Sequence, residues 1–232
     1  MGTTRFPKRI GVIVPFDMAL DREYWELVPD DVSLHVTRLP IVDLPYGPAH
    51  ARRVADPDDL AAAARTLERI GPAVVAFGCT SASFVDGLAG EAAVRAAIES
   101  AGIAEAVTPS GALVEELGRL GVRRVGLGTP YEEPLGRALA DLLSEAGLEP
   151  VSLVNLAYTD EEEVVAASDD VVIDLADRAR TPDADAVFLA CTNLPTVHLL
   201  PRLRERLGIP VLTANQVLIE AALRRTAALE RA

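Results

Sequence analysis

The chain has 232 residues, 50% hydrophobic and 25% charged, as in an ordinary soluble globular protein. Its net charge of −13 disfavours nucleic acid and anionic membrane as partners and gives an anionic substrate no long-range attraction. No apolar run approaches the roughly 18 residues of a membrane span, and Met1 to Arg9 carries no apolar targeting core. A cytoplasmic homo-oligomer acting on a small molecule is therefore expected.

Taken in order, short apolar runs alternate with longer amphipathic stretches. A strand over 9–14 leads to Pro15-Phe16-Asp17, where Asp17 is read first as a helix cap and second as an acid or base. A strand follows at 32–38, then a helix near 59–70. That helix is capped by Asp58 or Asp59, driven by its alanines and stopped by Gly71-Pro72. The strand over 73–77 runs into Gly78-Cys79-Thr80-Ser81. A helix near 90–101 and a strand over 105–108 lead to Thr108-Pro109-Ser110 and a helix near 110–120. The strand over 124–128 ends in Thr129-Pro130-Tyr131, followed by a helix near 132–146 and a strand over 151–155. The run Asp160-Glu161-Glu162-Glu163 reads as a solvated helix start. A helix near 170–180, a strand over 186–190 and Cys191-Thr192-Asn193 come next. The chain closes with a helix near 196–207 carrying His198 on its surface, a strand over 210–213 and a helix near 215–229. This alternation predicts an α/β protein with parallel sheets covered on both faces.

The two halves repeat one another. Ile10-Gly11-Val12-Ile13-Val14-Pro15-Phe16 matches Val125-Gly126-Leu127-Gly128-Thr129-Pro130-Tyr131, Phe77-Gly78-Cys79-Thr80 matches Leu189-Ala190-Cys191-Thr192, and Val107-Thr108-Pro109-Ser110 matches Leu212-Thr213-Ala214-Asn215. The matches keep their order, and a repeat of this length is one small domain rather than a solenoid unit. Two pseudo-symmetric doubly wound units are expected, 1–115 with Cys79 and 116–232 with Cys191, the last helix able to pack on the first unit. Ligands in such sheets sit beyond the carboxyl ends of the strands, so the repeated motifs are candidate pocket lining in both halves.

These are the chain's two cysteines. At equivalent strand ends in different halves they read as reduced thiols, not a disulfide. His35, His50 and His198 are scattered and no CxxC is present, so no metal site is expected. Gly126-Leu127-Gly128 lacks the third glycine of a dinucleotide fingerprint, and no cofactor is expected. Backbone N–H groups after each cysteine are expected to lower its pKa. Thr80, Ser81, Ser110 and Tyr131 are hydroxyl donors at the same edge, with Thr192 and Asn193 in the second motif. No Arg or Lys stands at these strand ends, so a carboxylate would be held by neutral donors.

Gly11-Val12-Ile13-Val14-Pro15, Gly78-Cys79-Thr80-Ser81, Thr129-Pro130-Tyr131 and Ala190-Cys191-Thr192-Asn193-Leu194-Pro195 resemble the aspartate/glutamate racemase superfamily, most closely its maleate isomerase and arylmalonate decarboxylase branch. The resemblance spans nearly the whole chain and implies an active site in the cleft between the two units. It implies a cofactor-independent isomerase of a small carboxylate or dicarboxylate, with Cys79 and Cys191 catalytic, one as nucleophile or base and the other as acid. Pro15, Phe16, Thr80, Ser81, Ser110, Tyr131, Thr192 and Asn193 would bind substrate. An amino-acid or hydroxy-acid racemase is the close alternative, and a carboxylate-binding protein the non-enzymatic one. Arylmalonate decarboxylase has glycine where Cys79 stands, which disfavours a pure decarboxylase. The Phe16, Met18 and Phe84 edge implies a substrate larger or less charged than maleate.

Overall fold

The computed structural model describes residues 8–229. Residues 1–7, most of the stretch read for a targeting core, lie outside them. Eight strands form two separate sheets of four, every pairing parallel. The first sheet contains β1 (Lys8–Val14), β2 (Val32–Arg38), β3 (Val74–Phe77) and β4 (Ala106–Val107) in the order β2-β1-β3-β4. The second contains β5 (Arg124–Thr129), β6 (Glu149–Asn155), β7 (Ala186–Leu189) and β8 (Val211–Thr213) in the equivalent order β6-β5-β7-β8. β3 and β7, the inner strands that lead to the two cysteines, are buried along their full length. That is why both read as unbroken apolar runs.

The helices are α1 (Asp21–Leu27), α2 (Pro48–Val54), α3 (Pro57–Glu68), α4 (Thr80–Phe84), α5 (Gly87–Glu99) and α6 (Pro109–Leu120) in the first half. They continue with α7 (Glu133–Glu145), α8 (Glu161–Val165), α9 (Asp169–Ala179), α10 (Leu200–Leu207) and α11 (Ala214–Leu229). The long helices fall where the sequence pattern puts them. Three short ones, α1, α2 and α4, were not anticipated, because five to seven residues are too few to show a 3.6-residue period; α8 starts in the acidic run read as a helix start. One cap differs as well: α3 is capped by Asp56, whose carboxylate accepts from the Asp58 and Asp59 amides, with Pro57 taking the first helical position. The strand expected over 105–108 shortens to two residues because Pro109 opens α6 and Thr108 caps it.

The last helix does not stay with its own sheet. α11 packs on β3, β4 and β1 of the first sheet and on α1 and α6, with Val217, Leu218, Ile219, Ala221 and Ala222 fully buried. Arg225 on α11 pairs with Glu105 and Glu115, and Arg224 with Glu116. Among the described residues, no helix is long and apolar enough to cross a membrane.

Candidate active site

The carboxyl ends of β1, β3, β5 and β7 converge on one small cavity. Cys79, Thr80, Ser81, Cys191, Thr192, Asn193, Tyr131 and Pro15 line it, together with Asp17, Tyr46, His50, Val54 and Glu161. The two cysteines from the two halves therefore share one chamber. The space open to the centre of a water molecule is ≈ 20 Å³, room for a water molecule or two. The chamber is tight, and charge inside it is poorly solvated.

Close approach builds the first cysteine's position. A Cβ on Gly78 would stand 2.5 Å from the Tyr24 hydroxyl and 3.0 Å from Val14, and Tyr24 is fully buried. Only glycine lets β3 end there. Cys79 is then the extended residue before α4. Its sulfur takes the Ala82 amide and lies 3.7 Å from the Ser81 hydroxyl. Burial outweighs these bonds and pushes the thiol up to about 12, with the Asp17 and Glu161 carboxylates adding to the rise. Cys191 is raised well above the ordinary thiol value, first by burial and then by Glu161. The Asn193 amide, 3.4 Å from its sulfur, and the Tyr131 hydroxyl partly offset this. The expected lowering by backbone amides is present at both cysteines, but desolvation exceeds it. At rest both groups are protonated thiols.

Cys191 also has φ of +88°; Ala157 is the other non-glycine residue among those described with positive φ. Side chains with a Cβ avoid this region, and such strain concentrates at functional sites.

The second cysteine's motif is tied to the first half. The Thr192 hydroxyl donates to the Gly78 carbonyl at 3.1 Å. The Asn193 carboxamide accepts from the Ala19 amide at 2.9 Å, and donates to the Asp17 carbonyl at 3.1 Å and to the Glu161 carboxylate. Buried Glu23 accepts from the Thr196 and Val197 amides at 2.8 and 3.0 Å and from Asn215 at 2.7 Å; Asn215 in turn donates to the Thr192 carbonyl. Thr192 and Asn193 thus reach the cavity wall with their side-chain groups already engaged by protein. They position the loop; they have no free side-chain donor for a ligand.

Thr80 and Tyr131 are the opposite case. Both hydroxyls are buried; that of Thr80 has no hydrogen-bond partner, and that of Tyr131 has only the Cys191 sulfur beside it. Tyr131 is held by its rings' neighbours, edge-on to Phe84 at 5.7 Å and tilted against Tyr46 at 6.2 Å. With Ser81 these are preorganised donors of the type that stabilises an oxyanion.

Two of the expected residues lie elsewhere. Ser110 is buried behind the cavity, its hydroxyl 2.6 Å from that of Ser83, because the second residue of α6 faces α4. Phe16 does not line the chamber; its ring packs 6.0 Å from His50. Asp17 is no helix cap, since α1 starts after Leu20 without a side-chain cap; it lines the cavity, with Oδ1 buried and unpartnered. Glu161 does begin a helix, capped by Asp160, but its carboxylate turns inward. Its pKa rises to about 7, first through burial and then through the Asp17 charge. His50 lines the chamber with Nδ1 3.1 Å from the Leu44 carbonyl, whereas His198 is exposed beside Asp169, as read. No signal short of the folded chain marks Glu161. Asp17 is legible at its strand end, with the acid-or-base role read second to the cap it does not form. No three described His, Cys, Asp or Glu residues are grouped to hold a metal ion.

Comparison with known proteins leads to the same chemistry. The family model for arylmalonate decarboxylase matches residues 11–231. Arylmalonate decarboxylase of Bordetella bronchiseptica is 36% identical over 66% of this chain and 64% of its own length, just under two thirds of that relative. Maleate isomerase of Alcaligenes faecalis is 26% identical over 89% of this chain and 86% of its own. Among solved structures, a glycine-to-cysteine, cysteine-to-serine double mutant of arylmalonate decarboxylase in liganded form superposes with a TM-score of 0.86 at 32% identity, covering 95% of this chain and 92% of that one. A cysteine-to-serine mutant of Nocardia farcinica maleate cis-trans isomerase, with a covalently bound succinylcysteine intermediate, gives 0.83 at 25% identity over 95% and 93%. With the paired strand-end cysteines, the equivalent sheet orders and a match over nearly its full length, the chain belongs to the arylmalonate decarboxylase family.

Proposed function

We propose that this protein is a cofactor-independent isomerase that uses Cys79 and Cys191 on a small carboxylate, in the manner of a maleate cis-trans isomerase. The observation that carries the reading is one tight chamber holding both thiols beside the buried hydroxyls of Thr80 and Tyr131. The maleate isomerase relatives and the succinylcysteine intermediate seen in one of them support it. Retention of a cysteine at position 79 favours isomerisation over decarboxylation.

The raised thiol pKa values shape the mechanism. Neither sulfur is a standing thiolate, so deprotonation accompanies capture of the substrate. One sulfur adds to the alkene carbon as its proton passes to a cavity carboxylate. Negative charge moves onto the substrate carboxylate as an enediolate, where Thr80, Ser81, Tyr131 and the amides after Cys79 meet it. The former double bond rotates, sulfur leaves and the proton returns. In the racemase alternative the same thiols take and give a proton on opposite faces of one carbon.

The partner in this reading is a small-molecule carboxylate, and two free buried cysteines suit a reducing cytoplasm. Exposed Trp25, Ile41 and Leu44 support a homo-oligomer, which light scattering would measure. The test of function is isomerisation, and deuterium uptake from heavy water, across small unsaturated and α-substituted carboxylic acids, with Cys79→Ala and Cys191→Ala beside the parent. Loss of turnover in both folded variants is expected. Near-parental rates in either would make that thiol structural and end the two-cysteine mechanism.

A further inference from the structure

The chamber holds two acids that the mechanism does not need in pairs. Asp17 and Glu161 come from the loop after β1 and the start of α8, one from each half, and both face the space shared by Cys79 and Cys191. Among the described residues, no Arg or Lys lines that space. Arg38, the nearest cation to Asp17 along the loop, donates to the Pro15, Phe16 and Met18 carbonyls. The ring of His50 is engaged through Nδ1 with Leu44. Asp17 Oδ1 is buried with no partner, and Glu161 is steadied by Asn193. The pair is thus built and oriented; burial disfavours the Asp17 charge and outweighs His50 and Arg38, which favour it.

The same wall carries groups of opposite character. The Thr80 hydroxyl is almost fully buried and without a partner, and the equally buried Tyr131 hydroxyl has the Cys191 sulfur beside it. They suit an anionic group, whereas the two acids suit a hydrogen-bond donor. Two carboxylates on one ligand would leave one of them against Asp17 and Glu161 in a poorly solvated space, where like charges repel strongly.

We propose that Asp17 and Glu161 form an acidic subsite that selects a monocarboxylate bearing a donor group, an ammonium or a primary amide, and rejects a second carboxylate. This rests on the two-cysteine isomerase reading and names its substrate class. The titration of Glu161 adds a signature. Glu161 titrates near neutrality because Asp17 and burial disfavour its charge. A bound ammonium reverses that preference, so its binding releases a proton, whereas an amide releases less.

The test uses three unreactive ligands of one chain length: 4-aminobutanoate, succinamate and succinate. Isothermal titration is run in two buffers of different ionisation enthalpy, on the parent and on an Asp17→Asn/Glu161→Gln double variant. The parent is expected to bind the first two at least about tenfold more tightly than succinate, with proton release on 4-aminobutanoate near neutral pH. The double variant should lose that preference and the proton release. Equal or tighter succinate binding by the parent, an unchanged order in a folded double variant, or no binding of any of the three at millimolar concentration would overturn the subsite. Cys79→Ala separates the two readings. Discrimination kept in that variant, alongside a parent with no turnover on any amino or amide acid, would end the isomerase reading and leave the subsite standing.

Discussion

The positive φ of Cys191 allows strain to be separated from chemistry by two substitutions at one position. At an ordinary buried position glycine is less stable than alanine by roughly 0.5–1 kcal/mol, because its unfolded chain is freer. At φ of +88° alanine keeps the clash of its Cβ, worth about 1–3 kcal/mol, while glycine has none. Cys191→Gly should therefore be the more stable of the two by about 1 kcal/mol. For a chain of this size that is about 2–4 °C in Tm. Both variants lose the same sulfur, so packing around it cancels to first order. Both should lose turnover by about two to four orders of magnitude, the scale of a lost acid or base. Thermal unfolding and initial rates on the two purified variants make the comparison. Alanine more stable than glycine, the order at any unstrained position, would refute the idea that backbone strain is stored at this cysteine.

Gly78→Ala places a methyl 2.5 Å from the buried Tyr24 hydroxyl and should cost about 1–3 kcal/mol, read by urea unfolding; a neutral result would mean β3 has room to shift. Glu161 gives a pH-dependent signal. Its folded pKa of about 7 lies above its ordinary 4.5, so its contribution to stability is intact below pH 4.5 and is lost as pH rises through 7. Glu161→Gln, which never ionises and keeps an oxygen for Asn193, should match the parent near pH 4. By pH 8 it should exceed it by up to about 3 kcal/mol, at 1.36 kcal/mol per unit; urea unfolding at the two pH values would show the gap or its absence. Tyr131→Phe removes one hydroxyl and little volume, and should lower kcat by about 10–1000-fold with a smaller change in KM; unchanged steady-state kinetics would remove that hydroxyl from the transition state.

Much of this was legible in the sequence. Eight strands in order, the long helices and the paired Cys-Thr strand ends follow from unbroken apolar runs and from repetition, both of which are local. The roles inside the chamber were less visible because they depend on what lies across it. Thr80 and Thr192 occupy equivalent positions in the repeat, yet one hydroxyl is free while the other is bound to Gly78. Nothing in either tripeptide distinguishes them. Glu161 sits in an acidic run that reads as solvated, and this one residue of the run is turned inward onto Asn193, 32 positions away. Thiol acidity was misjudged for the same reason. The amides that lower it are adjacent in sequence, whereas the burial that raises it comes from the whole fold.

The placement of α11 governs how anything reaches the thiols. Because this helix lies across β3 while its own strand belongs to the second sheet, spreading the two sheets apart would peel buried Val217, Leu218 and Ile219 off their neighbours. Each fully buried aliphatic side chain is worth about 1.5–3 kcal/mol, so such a gape would cost much of the stability of the fold. A jaw-like opening is closed to this architecture. The segment between β2 and α3 supplies Tyr46, His50 and Val54 to the cavity wall while leaving Ile41 and Leu44 in solvent, so one side of the thiols' chamber is walled by chain that belongs to neither sheet.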